Sequence, residues 1–154
     1  KVAVLCQDAD YALFCAGKLD EFESSDDAVL IRAEVKILKG DFAGAYADAA
    51  GIFDRKESGK AALVAAKALL ASGDRDGAAK FLDNAGKKLA EYNDASYMDE
   101  LLILKAGVAY GRGRTDECLS YLNKALRACK NDLVKTRVKT LISDVGAGKA
   151  NLRF

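Results

Sequence analysis

The amino-acid sequence predicts an all-α fold, and three observations support that prediction. The 154 residues contain no Pro, and Ala is the most abundant residue, so the strongest helix breaker is missing and the best helix former is common. Apolar and small residues recur at helical spacing along much of the chain. Three segments also align on a shared Gly, which indicates an internal repeat. One domain is expected, since a chain of this size buries roughly two thirds of its unfolded surface.

The helices can be placed in chain order from their capping residues and apolar positions. We expect a leading helix over 2–16, a short second helix near 18–24, and a restart capped within 24–27. Further helices should follow at about 27–39, 42–54, 58–72, 75–92, 97–112 and 115–129. Asn131 or Asp132 should cap a last helix over 132–143. Residues 146–154 form a tail without a helical pattern, which we expect to be loose.

The three aligned segments share small residues at fixed distances from the turn Gly. A small residue lies seven positions before the Gly, another lies five after it, and an apolar or small one lies twelve after it. The sets are Ala33, Gly40, Ala45 and Ile52; Ala66, Gly73, Ala78 and Ala85; and Ala106, Gly113, Cys118 and Ala125. Small residues let two helices cross closely, and a Gly supplies the left-handed conformation that ends a helix. Each segment is therefore predicted to be a helical hairpin.

This pattern resembles the tetratricopeptide repeat, a helix-turn-helix unit of 34 residues with small residues at positions eight and twenty and a turn Gly near position fifteen. The repeats would cover about 26–57, 59–92 and 99–131. They would be degenerate, because Val29, Ala62 and Leu102 replace the usual aromatic residue and the closing Pro is absent. The resemblance implies a right-handed α-solenoid of antiparallel helical hairpins within a single domain over 1–145. The helix over 132–143 would cap its C-terminal end.

The resemblance also implies a binding surface, because in this family the first helix of each unit lines the concave face. The corresponding residues are Leu30, Glu34, Ile37, Leu63, Lys67, Leu70, Ile103, Gly107 and Tyr110. An apolar groove with two charges suits an amphipathic helix or an extended peptide of another protein. Gly107 and Gly111 should open space beside Tyr110. Alternatively, the apolar residues contact neighbouring helices or the chain's own flanking segment.

The predicted function is therefore a noncatalytic protein–protein interaction scaffold. An alternative is a structural α-solenoid segment of a large assembly or of a longer multidomain protein, including a co-chaperone. The clamp with which chaperone adaptors of this family hold a carboxylate is missing, because Leu30, Glu34, Glu100 and Leu104 occupy clamp positions. The sequence favours no oligomeric state.

Composition excludes several kinds of chemistry. Without His there is no His-based triad and no His-containing zinc site, and we expect neither catalysis, nor a cofactor, nor a metal. Cys6 and Cys15, like Cys118 and Cys129, would lie about 14 to 17 Å apart on a helix, too far for a disulfide. We interpret the four thiols as buried groups in a reducing compartment, which favours the cytoplasm. No segment is long and apolar enough for a membrane span, and no membrane partner is expected.

Charge is distributed unevenly along the chain. Residues 1–30 carry two Lys against seven acidic residues, whereas residues 124–154 carry eight basic residues against two acidic ones. The basic end could contact nucleic acid, but no aromatic residue lies between 122 and 153 to stack on bases. We therefore regard Lys135, Arg137 and Lys139 as a solvated face of the last helix, and nucleic-acid binding as a weaker alternative.

Overall fold

The computed structural model describes residues 25–92, 96–150 and 152–154, and all regular elements within these ranges are α-helices. They are α1 (Asp26–Leu38), α2 (Phe42–Lys56), α3 (Gly59–Ser72), α4 (Arg75–Glu91), α5 (Met98–Gly111), α6 (Thr115–Ala128) and α7 (Asp132–Gly146). The all-α prediction is confirmed for this part of the chain. The predicted bounds are right to within two residues, except that α7 runs three residues further. The helices predicted over 2–16 and 18–24 lie outside the described residues.

Side-chain caps fix the first turn of five helices. The side-chain oxygens of Ser25, Asp41, Ser58, Asp74 and Asn131 accept hydrogen bonds from backbone N–H groups of α1, α2, α3, α4 and α7. These N–H groups have no partner within their own helix, so each cap stabilises the helix start. Short polar residues in the sequence thus determine where most helices begin.

Glycines with a left-handed backbone conformation follow the ends of α1, α3 and α5. Gly40, Gly73 and Gly113 have φ of 86°, 94° and 75° and follow α1, α3 and α5, which confirms the role predicted for the aligned glycines. At Gly73, the Gly73 N–H donates to Leu70 O (3.1 Å) and the Asp74 N–H to Leu69 O (2.9 Å), closing the last turn. Gly148, with φ of 68°, closes α7 through the same pair of hydrogen bonds.

Two glycine substitutions, which should change the free energy of unfolding in opposite directions, test this role. Gly73→Ala should lower the free energy of unfolding by about 1–2 kcal/mol, because a left-handed backbone is strained for residues with a Cβ. Gly51→Ala should raise it by about 0.5–1 kcal/mol, because Gly51 lies in the middle of α2, where an added Cβ would meet open space. Urea denaturation followed by circular dichroism measures both changes. Equal effects of the two substitutions would contradict the assigned role of Gly73.

The buried side chains of the described residues form three clusters, each shared by three consecutive helices. The first joins α1, α2 and α3, the second joins α3, α4 and α5, and the third joins α5, α6 and α7. The small residues of the aligned segments lie at their centres: Ala33, Ala45, Ala66, Ala78, Ala85, Ala106, Cys118 and Ala125 are 0% exposed. Helices α3 and α5 each contribute to two clusters, and α3 packs directly on both α1 and α5.

The segment after α7 differs from the loose tail that we expected. Leu152 and Phe154 are half-buried and pack against the α5–α7 cluster. The tail returns to the helices because these two side chains bury apolar surface there.

The lengths and apolar character of the helices also bear on the membrane prediction. Among the described residues, none of the helices is both long enough and apolar enough to cross a membrane.

Candidate functional site

A cavity of about 550 Å³ lies at the C-terminal ends of α1, α3 and α5, and we call it the groove. Each of the three helices contributes the same two repeat positions. These residues are Ile37 and Leu38, Leu70 and Ala71, and Tyr110 and Gly111. A cavity of this volume is within the range of small-ligand sites and of pockets for one or two peptide side chains.

Five of the nine residues predicted from the resemblance line the groove. They are Ile37, Lys67, Leu70, Gly107 and Tyr110. The repeat register therefore brings together residues that are far apart in sequence, on three different helices.

The structure places the other four differently. Leu30 and Ile103 are 3% exposed and Leu63 is 1% exposed, and each belongs to one of the three core clusters. They contact neighbouring helices: Leu30 packs in the α1–α3 cluster, Leu63 in the α3–α5 cluster and Ile103 in the α5–α7 cluster. Glu34 is half-buried on α1 and does not line the groove. The open surface is thus formed by later positions of each first helix.

Two groove residues that we did not predict are large side chains at the start of second helices. Phe42 begins α2 and Arg75 begins α4, and each lies two residues after a turn Gly. Their shared position in the repeat is a signal that could have identified them. Leu104 also lines the groove.

The remaining wall of the groove is formed by the chain itself, at Leu152, Arg153 and Phe154. Phe154 lies over Gly107, where an added Cβ would be 2.8 Å from the Phe154 Cβ and 2.7 Å from Leu70 Cδ2. The rings of Phe154 and Tyr110 have centroids 5.8 Å apart. Gly107 thus provides space as predicted, but Leu70 and Phe154 fill it.

Gly111 likewise provides space that another side chain uses. An added Cβ there would lie 2.8 Å from the Arg75 Cδ, so the Arg75 side chain crosses α5 at this residue. Both glycines beside Tyr110 therefore allow a close approach of side chains from elsewhere in the chain.

Two hydrogen bonds fix the backbone of the returning segment. The Tyr110 hydroxyl donates to the Lys149 carbonyl oxygen, and the Arg137 guanidinium donates to the Phe154 carbonyl oxygen at 2.7 Å. Burial lowers the pKa of Arg137, and the Glu100 carboxylate opposes that effect. Arg137 is therefore not part of an exposed basic face with Lys135 and Lys139, as the sequence had suggested, because its guanidinium is turned towards the tail.

The charged side chains among the described residues that line the groove have one sign. They are Lys67, Arg75 and Arg153, and no acidic side chain accompanies them among these residues. Within the described ranges, none of these three cations forms an ion pair. Unpaired cations beside apolar walls favour a ligand that is both apolar and anionic.

The described cysteines lie apart from this surface. Cys118 and Cys129 are buried free thiols. Burial raises the pKa of the Cys118 thiol to about 11 and also raises that of Cys129, so neither is an activated nucleophile near neutral pH. Cys6 and Cys15 lie outside the described residues. Across the described segments, no group of three or more His, Cys, Asp or Glu residues is arranged to hold a metal ion.

No family model, curated protein or solved structure matches the chain. Function is therefore inferred from the groove, its charge and the segment that lies in it.

Proposed function

We propose that the chain is a noncatalytic protein-binding scaffold that holds an apolar peptide or helix of another protein in the groove. The main observation in support is that the groove already holds a non-helical segment of this chain. An aromatic contact and hydrogen bonds to main-chain oxygens hold that segment. Side-chain pockets combined with main-chain hydrogen bonds are a general mode of peptide recognition.

The architecture that we propose is a right-handed, tetratricopeptide-like α-solenoid. Three core clusters, each confined to consecutive helices, support it, because solenoid units bury their apolar faces against their neighbours. The left-handed Gly closing each first helix at the same repeat position supports it as well. In this arrangement α1, α3 and α5 would line the concave face, and α7 would cap the end.

The chemistry of the groove supports a binding role. Among the described residues that line the groove, the ionisable side chains are Lys67, Arg75, Tyr110 and Arg153, with no carboxylate or thiol. This set can hold an anion, and it includes none of the carboxylate, imidazole or thiol groups that commonly act as general bases. We also propose a reducing compartment such as the cytoplasm, where the free thiols of Cys118 and Cys129 would persist.

A second candidate is a structural segment of an assembly or of a longer protein, whose groove is filled permanently by its own chain. The position of Leu152 and Phe154 in the groove favours this candidate. The two functions differ in whether the groove is required to bind another protein.

An affinity-capture experiment with matched charge reversals separates them. Lys67→Glu should reduce capture of the partner from lysate by roughly tenfold, since it reverses a charge inside the groove. Lys80→Glu, at an exposed position of α4 outside the groove, should leave capture unchanged. Quantitative mass spectrometry of the captured proteins, with circular dichroism to verify folding, provides the measurement. If both variants capture the same proteins as the unmodified chain, the groove is not the binding surface.

A further inference from the structure

The way in which residues 149–150 and 152–154 are held defines an anchor for one aromatic side chain. Phe154 lies over Gly107 and beside the Tyr110 ring, and Leu70 approaches the same side of Gly107. The backbone on either side of the segment is fixed by Tyr110 and Arg137. Leu152 supplies a second apolar contact, against the α5–α7 cluster. The site therefore suits an extended segment with an aliphatic residue two positions before a Phe.

The charge of the tail does not match the charge of this site. Arg153, between the two apolar anchors, lies in a groove whose described lining residues also include Lys67 and Arg75 and no acidic side chain. Like charges around one cavity repel, and the repulsion weakens the tail as an occupant. A segment with Glu or Asp between its two apolar residues would keep the anchors and replace the repulsion with attraction.

We propose that the groove binds a partner peptide of the pattern aliphatic–acidic–Phe, and that the chain's own Leu152–Phe154 is a weaker occupant which this peptide displaces. The inference rests on the proposed binding function and specifies the ligand. The tail competes because it is tethered: a short linker gives it an effective concentration in the millimolar range. The partner's observed affinity is then reduced by the fraction of molecules in which the groove is free.

Two synthetic peptides with amidated C-termini serve as probes. One has the sequence of residues 149–154, and the other is the same peptide carrying Arg153→Glu. Each is labelled at its N-terminus and titrated, by fluorescence anisotropy, with the unmodified chain and with a Leu152→Ala/Phe154→Ala chain whose tail lacks both anchors. The double variant is first shown to be folded by circular dichroism.

We expect the glutamate peptide to bind the double variant roughly tenfold more tightly than the unmodified chain, because the competitor has been removed. At low salt it should bind the double variant about three- to tenfold more tightly than the arginine peptide, and the difference should shrink in 0.5 M salt. Adding Gly107→Ala to the double variant should abolish binding, since the added Cβ would occupy the site of the Phe side chain. Adding Gly51→Ala instead should leave binding unchanged.

Three results would overturn the inference. Equal binding of the two peptides would remove the acidic requirement, and equal binding to the two chains would show that the tail does not compete. No binding of either peptide to the folded double variant would remove the anchor itself. Sedimentation of the unmodified chain gives a fourth result that would overturn the inference. If the unmodified chain forms a concentration-dependent dimer and the double variant does not, the occupant of the groove is the tail of a second copy.

These outcomes are distinguishable from failure of the proposed function. If Lys67→Glu impairs capture of a partner but the peptides do not bind, the scaffold function stands and this ligand class is wrong. If the peptides bind as expected but Lys67→Glu does not change capture of a partner, the proposed ligand class is right for the groove and the scaffold function is wrong.

Discussion

Leu63→Asp should abolish the folded state, whereas Leu70→Asp, seven residues later on the same helix, should leave the protein folded. Leu63 is 1% exposed in the second core cluster, so a carboxylate there loses both apolar burial and hydration. The combined loss is on the order of 5 kcal/mol, comparable with the whole stability of a typical domain. At Leu70, by contrast, a carboxylate reaches the groove and meets Lys67 and Arg75.

Circular dichroism and thermal unfolding of the two variants provide the measurement. The helical signal of Leu63→Asp should be largely lost at 25 °C, and Leu70→Asp should retain a cooperative transition. A folded Leu63→Asp chain would mean that this residue lies on an open surface after all. Leu70→Asp also serves binding experiments, because it changes the groove wall in a protein that remains folded.

Leu122→Ala should lower the free energy of unfolding by about 2–5 kcal/mol. Leu122 is 0% exposed at the centre of the third cluster, between α5 and α7, so truncation leaves a cavity enclosed by helices on both sides. Urea denaturation gives the difference between this variant and the unmodified chain.

Leu133→Ala is the matched control, since it removes the same atoms from a side chain that is 50% exposed on α7. Its expected cost is below about 1 kcal/mol. Similar losses for Leu122→Ala and Leu133→Ala would contradict the division between the third cluster and the outer surface of α7.

The helices and their ends were predictable because their signals are local. Ser25 and Ser58 precede helix starts, and Gly40, Gly73 and Gly113 mark helix ends, all within one turn of the boundary that they determine. The small residues of the repeat were predictable for a related reason: a buried crossing accepts little volume, and that requirement recurs in each segment.

The open face of the helices was only partly predictable. Register separates the core face of a helix from the outer face, but it does not say how closely the next first helix approaches. Packing against neighbouring helices buries Leu30, Leu63 and Ile103, whereas Lys67 and Tyr110 lie at the groove.

The position of the tail was not predictable from local pattern at all. Its hydrogen bond from Tyr110 to Lys149 joins residues 39 apart in sequence, and two apolar side chains are too few to establish a helical or strand pattern. The expectation of a loose segment was wrong because tertiary contacts, not local preference, hold Leu152 and Phe154.

Gly148 has a consequence for protein engineering. Because it closes α7 as Gly113 closes α5, with the same left-handed backbone and the same pair of hydrogen bonds, the chain leaves both helices by the same local path. At Gly113 that path leads into α6. A copy of residues 114–128 grafted directly after Gly148 would therefore begin in the direction that a second helix takes, which makes this glycine the natural junction for lengthening the protein by one further unit.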